Sequence, residues 1–187
     1  MAISSVKDDF SSDVVRASGS SDVAQLRVWL RDPRERRNYS IRGIAAMRLG
    51  ELRDKDSEMA VAALLGDHLA ITRMNAAGAL GRIGSAATAP MLVEALGDSH
   101  LLVRTAAADS LGHIGDRSAR EALRRCLEDE SPYVRFEAVY SLVRLKDPDA
   151  RMLVQQVWDK ETALRWGRRR IWRDLWREVR NTETDRV

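Results

Sequence analysis

A recurrence at 31 residues constrains this chain more than any other feature. Asp67, Asp98 and Asp129 share one slot, and Arg73, Arg104 and Arg135 share another six positions on. Ala76, Ala107 and Ala138 follow, then Leu80, Leu111 and Leu142, then Ile83, Ile114 and Leu145; in the second half of the block Leu96, Leu127 and Trp158 align. One step back, Ile41, Arg42, Ala45, Leu49, Gly50, Leu52 and Leu65 fill the matching slots. A more worn copy precedes it when the step is lengthened by four: Val6, Lys7, Phe10, Val14 and Ala17, then Leu26, Trp29, Leu30 and Asp32. The added residues fall in the charged run from Pro33 to Asn38, which reads as a surface loop. A fixed period of this length marks a stack of supersecondary units.

Each block resolves into two helices. Val103, Ala107, Leu111 and Ile114 recur at intervals of four, four and three, the spacing of one helical face. Gly112 and Gly115, and likewise Gly81 and Gly84, are expected to end the first helix, because glycine takes the left-handed conformation of a C-terminal cap. Ala119, Ala122, Leu123, Cys126 and Leu127 give the second helix an inner face. Asp129 opens the next unit, with its side chain placed to cap exposed N–H groups. One such pair cannot hide its apolar face, and stacked neighbours can. The reading is all-α: a right-handed α-solenoid of antiparallel helix pairs over residues 1–32, 36–66, 67–97, 98–128 and 129–159. A capping helix follows at 160–180, then a flexible tail at 181–187. No strands are expected.

Composition agrees. Apolar residues make up 44% of the chain but aromatics only 5%, so the core rests on Ala, Leu, Val and Ile, which suits closely packed helices. The formal charge of +3 argues against a chain-wide polyanion-binding surface. Positive charge gathers instead in residues 160–180, with eight Lys or Arg against three acids. A single cysteine, Cys126, excludes an intrachain disulfide framework and fits a reducing compartment. No run approaches the roughly 18–20 apolar residues that span a bilayer, and Lys7, Asp8 and Asp9 stand where a signal peptide would be apolar. A cytoplasmic location is expected.

On these residues the chain resembles the short HEAT-like repeats associated with phycobiliprotein lyases. The likeness lies in Asp67, Arg73, Ala76-Ala77, Leu80-Gly81 and Ile83-Gly84, and one block on in Asp98, Val103-Arg104, Ala107-Ala108, Leu111-Gly112 and Ile114-Gly115-Asp116. It covers residues 40–158 well and 1–39 loosely. The resemblance implies a scaffold on which many unrelated activities are built. It also implies that Asp67, Asp98 and Asp129 form a structural ladder with Arg73, Arg104 and Arg135, charges pairing between neighbouring units.

Other candidate sites have competing structural roles. His68, His100 and His113 suggest a metal, but the similar repeats of deoxyhypusine hydroxylase hold iron through His-Glu dipeptides, and this sequence has none. No HExxH motif or phosphate loop occurs. Neither metal nor cofactor is expected, and no catalytic residue is assigned. Cys126 shares its slot with Ala95, Leu64 and Val157, a core position that reads as an inert buried thiol. In the C-terminal segment Leu164, Ile171, Trp172, Leu175, Trp176 and Val179 gather on one side of a helix. Arg165, Arg169, Arg173 and Arg177 form a stripe on another, and Trp166 joins this basic, aromatic surface. Capping the stack is the favoured role; contact with an anionic membrane or nucleic acid ranks below it.

The leading functional reading is a non-catalytic scaffold that holds a partner protein or peptide. In such repeats the second helices line the concave face. That assigns to the partner site Met59, Ala62, Ala63, Val93 and Glu94 early on, and Glu121, Arg124, Arg125 and Glu128 later. Apolar first and charged later, this surface suits an amphipathic helix or an acidic-hydrophobic peptide. The alternatives are a bilin-lyase-like or other HEAT-family enzyme or enzyme subunit, and a nucleic-acid-binding HEAT-like protein.

Overall fold

In the computed structural model, which describes residues 13–33, 35–36 and 39–163, the chain forms five consecutive helix pairs. The first helices are α1 (described over 13–19), α3 (Ile41–Glu51), α5 (Ala70–Ile83), α7 (Leu101–Ile114) and α9 (Pro132–Arg144). The second helices are α2 (Val23–Trp29), α4 (Glu58–Ala62), α6 (Ala89–Ala95), α8 (Arg120–Arg125) and α10 (Ala150–Ala163). The architecture is an all-α solenoid in which each first helix from α3 to α9 packs on the next. Between α2 and α3, where a loop was expected, Glu35–Arg36 and Tyr39–Ser40 pair as a two-residue antiparallel ribbon, so the expectation of no strands is corrected in this one detail.

The repeated slots are the core. Ala45, Ala76, Ala107 and Ala138 are fully buried, as are Leu49, Leu80, Leu111 and Leu142. These columns shield one another because each unit supplies half of every interhelical contact. The worn first copy joins the same core through Ala17, Leu26, Trp29 and Leu30. Val6, Lys7 and Phe10 lie outside the described residues.

The glycine expectation requires correction. Gly115 does take the left-handed conformation, at φ 80°, and closes α7. Its equivalents Arg53 and Lys146 adopt the same conformation at φ 56° and 53° without being glycine, whereas Gly84 is extended. Gly81 and Gly112 lie inside their helices and serve another purpose. A Cβ on Gly112 would sit 2.4 Å from Ser141 Oγ and 2.9 Å from Ser141 Cα; one on Gly81 would meet Ser110, and one on Gly50 would meet Ala79 at 2.7 Å from its Cα. The missing side chain lets successive first helices approach until backbone nearly touches the neighbouring residue. Two serines exploit that closeness: Ser110 Oγ donates to the Ala77 carbonyl and Ser141 Oγ to that of Ala108, each at 2.8 Å. Hydroxyls buried this deeply would be costly without such acceptors.

Candidate functional site

Two lines of polar contacts run between successive units. Along the first helices, Arg42 meets Asp67 at 3.0 Å, Arg73 meets Asp98 at 2.6 Å and Arg104 meets Asp129 at 2.8 Å. Each aspartate belongs to the following unit. Arg73, Arg104 and Arg135 also donate to the backbone carbonyls of Asp67, Asp98 and Asp129, the residues six positions before them. The aspartates in turn accept backbone N–H bonds from Leu69, His100 and Ser131 at the entrance to each first helix. The hydrogen bonds from Arg73 hold the Asp98 carboxyl below the usual carboxylate range against the opposing effect of burial. Guanidinium groups engaged on two sides are poorly placed to bind an external anion.

A second line runs along the second helices. Arg27 holds Asp54 and Asp56 of the next unit, and Arg124 holds Asp147 and Asp149 at 2.6 and 2.7 Å. Between these ends, the Glu58 carboxylate accepts from Ser85 N, Ser85 Oγ and Thr88 Oγ1, each at 2.8 Å. This line was missed in the sequence, although Asp54, Ser85, Asp116 and Asp147 stand at 31-residue intervals.

Beside these contacts, the space between second helices remains open. Among the described residues the close approach made by the first helices has no counterpart there, and grooves result, three of which lie between α2 and α8. The first, of about 280 Å³, lies between Val28, Leu30 and Arg31 on one side and Asp56, Ser57 and Ala60 on the other. The second, of about 420 Å³, lies between Ala62, Ala63 and Leu65 and the wall of Met91, Glu94 and Ala95. The third, of about 330 Å³, lies between Val93, Leu96 and Gly97 and the wall of Ala122, Arg125 and Glu128. From second groove to third each wall advances by 31 residues, so one geometry recurs with changing side chains.

Of the residues assigned to the partner surface, Ala63, Val93, Glu94, Arg125 and Glu128 line these grooves. Met59 is 61% exposed and Glu121 is exposed. Two assignments need correction. Ala62 reaches a groove but is fully buried, because its methyl group packs into the core. Arg124 is tied to Asp147 and Asp149 and so belongs to the scaffold. Glu128 pairs with Lys160 at 2.8 Å. Sequence reasoning missed the opposite walls, notably Met91, Leu65 and Leu96, since only the separation of the helices uncovers them.

The remaining candidates are resolved by their surroundings. Cys126 is buried, and burial pushes its thiol up to about 11, which disfavours the thiolate. His100 Nδ1 accepts from Leu102 N at the start of α7, His68 lies 3.5 Å from Asp67, and His113 sits beside Asp109 and Arg144. Among the described residues no three metal-ligating side chains converge. Arg165, Trp166, Arg169, Arg173 and Arg177 lie outside the described residues, as do 164–180 of the expected capping helix and the tail at 181–187. No described helix is long and apolar enough to cross a membrane. On the first-helix face, Glu137 of α9 stands between Asp109 and Arg144; burial first, then the Asp109 charge, raises its carboxyl to about 7, with Arg144 opposing.

Solved structures share this architecture. The complex of CpcE and CpcF of phycocyanin lyase from Nostoc sp. PCC7120 matches with a TM-score of 0.63 and 24% identity, covering 75% of this chain and 59% of that one. Human deoxyhypusine hydroxylase in complex with glycerol matches with a TM-score of 0.56 and 27% identity, covering 68% of this chain and 44% of that one. The chain thus spans little more than half the length of the first and less than half of the second. No curated protein matches it. The sequence model for HEAT repeats matches residues 24–111 and again 89–170. Those two spans cover most of the chain, whose period, paired helices and stacked core they describe, and the chain belongs to the HEAT-repeat family.

Proposed function

We propose that this protein is a non-catalytic scaffold that holds a partner protein or peptide along the face of its second helices. The observation that carries the reading is the series of three grooves between second helices, the second and third related by the 31-residue step, whose rims include Glu94 and Arg125, side chains that the two charge ladders leave available. Their floors are apolar (Leu30, Leu65, Leu96) and their rims polar or charged (Arg31, Asp56, Glu94, Arg125, Glu128). An amphipathic helix laid across such a surface places apolar anchors in successive grooves and charges against the rims. That the Nostoc neighbour is a complex of two named chains supports a protein as the partner class.

The inert environment of Cys126 and the separation of the three histidines argue against catalysis by the described residues. The test is affinity capture with the intact chain, compared with the double variant V93D/R125E. Both positions line the third groove and neither belongs to a ladder. A partner retained by the wild type and lost from the variant supports the proposal. Equal retention by both, or no protein retained by the wild type in repeated captures, overturns it.

A further inference from the structure

The line of contacts along the second helices is interrupted at one junction. Two slots in each unit reach the unit that follows: one holds Glu58, Ala89 and Arg120, the other Arg27, Ala62, Val93 and Arg124. The first unit uses Arg27 on Asp54, and the second uses Glu58 on Ser85 and Thr88. The fourth uses both slots. Arg120 donates to the carbonyls of Leu145 and Lys146 at 2.6 and 2.7 Å, and Arg124 holds Asp147 and Asp149. The third unit carries Ala89 and Val93, whose side chains have no polar atom. Among the described residues no hydrogen bond or ion pair joins α6 to α8 or to the turn Arg117–Ala119 before it. The facing carboxylate is nevertheless in place: Asp116, in the slot of Asp54 and Asp147, accepts from Ser118 N of its own turn at 2.9 Å.

We propose that the stack opens at this seam, the fourth and fifth units swinging as one block away from α6 while the first-helix layer acts as the hinge. That layer is held at the same junction. Arg73 pairs with Asp98 at 2.6 Å, Ser110 donates to the Ala77 carbonyl at 2.8 Å, and Gly81 lies against Ser110. Each block on either side is tied within itself. Arg27 and Glu58 join the first three units, and Arg120, Arg124 and the Lys160–Glu128 pair join the last two.

The difference between junctions is one of bond type. Separating the second helices elsewhere breaks hydrogen bonds to charged groups, which are the stronger kind. At the seam it costs only apolar contact, and the third groove already thins that contact. Local opening concentrates where such ties are fewest. Leu96, Ala122 and Cys126 line the groove and are all less than one-tenth exposed in the closed stack. Opening uncovers them and gives an apolar anchor of a partner its entry. That consequence rests on the partner reading; the opening itself does not.

Cys126 is the chain's single cysteine and is buried, so its reaction with dithionitrobenzoate reports the opening on the full-length chain. Wild-type labelling is expected to run at least about tenfold faster than global unfolding allows, with little dependence on urea below the unfolding transition. V93R/S118D completes at the seam the pattern of Arg27 with Asp54 and Asp56 and of Arg124 with Asp147 and Asp149. It is expected to slow labelling by about fivefold or more beyond its effect on global stability. V93R/D116N has the same arginine without a facing carboxylate, and wild-type labelling is expected. Wild-type labelling that rises with urea in step with global unfolding overturns the proposal, whether or not the variants fold. So does an unchanged rate in folded V93R/S118D. Equal slowing by both variants overturns it as well, the mark of a side chain that covers the thiol without closing the seam. None of these outcomes involves a partner, so failure here and failure of the affinity capture are distinguishable.

Discussion

The first-helix and second-helix layers arise from the same 31-residue period and use it differently. In the first layer, small residues bring helices together until Gly112 has no room for a Cβ, and an Arg–Asp ladder crosses every junction from Arg42 to Asp129. In the second layer α4, α6 and α8 are shorter and further apart, and grooves replace contact. Side chains there change from Val28 to Ala63 to Glu94 to Arg125 in one slot without altering the fold. Close packing leaves a position little freedom, whereas an open groove tolerates variety. Conserved geometry in one layer and variable chemistry in the other is the arrangement a recognition scaffold needs.

This contrast can be broken by experiment, and the largest effect is expected in the ladder. Arg104→Ala leaves Asp129 largely buried without its cation, and a loss of about 3 kcal/mol is expected in urea unfolding. A loss below 1 kcal/mol would show that the ladder contributes little. Next comes Gly112→Ala, where added volume meets Ser141 including its Cα; about 1–3 kcal/mol should be lost. The matched control is Gly78→Ala, in the same layer but with open space around its would-be Cβ. There the better helix propensity of alanine should add about 0.5–1 kcal/mol. If both substitutions act alike, the close-approach argument fails.

A pH-dependent effect should follow from Glu137. Its folded pKa of about 7 lies above the ordinary value of 4.5, so folding favours the protonated acid. That contribution is fully present below pH 4.5 and is lost as the pH rises through 7. Glu137→Gln should therefore raise Tm at pH 8, by about 2–4 °C for a chain of this size, with the gain shrinking toward pH 4.5. A gain independent of pH would remove burial of the charge as its cause. The smallest effects belong to the groove rims: Glu94→Ala and Arg125→Ala should each change stability by less than about 0.5 kcal/mol. A larger loss in scanning calorimetry would mean that these side chains serve the scaffold and are not left for a partner.

Much of the architecture was legible before any coordinates. The alanine and leucine columns that the period aligned are the buried columns of the structure, because a residue repeated at every unit faces the same neighbour in each. The ladder lay in the same alignment. The glycines are legible only in part: chain position puts Gly112 and Gly81 near helix ends, but their contacts with Ser141 and Ser110 exist only between units. Ala62 was assigned to the surface and is fully buried, since a methyl group fits core and groove edge equally well in a one-dimensional pattern. Arg124 looked available because its partners Asp147 and Asp149 lie in the following unit, outside the helix that carries it.

By itself the sequence determined the unit, its length and its core, since hydrophobic periodicity and chain connectivity act along the chain. Only the tertiary structure decided how closely adjacent units approach, which charges are consumed between them and where grooves remain. Those depend on the distance between residues some 25 to 33 positions apart, a distance set by the volumes of every side chain at the junction together and written in no single slot.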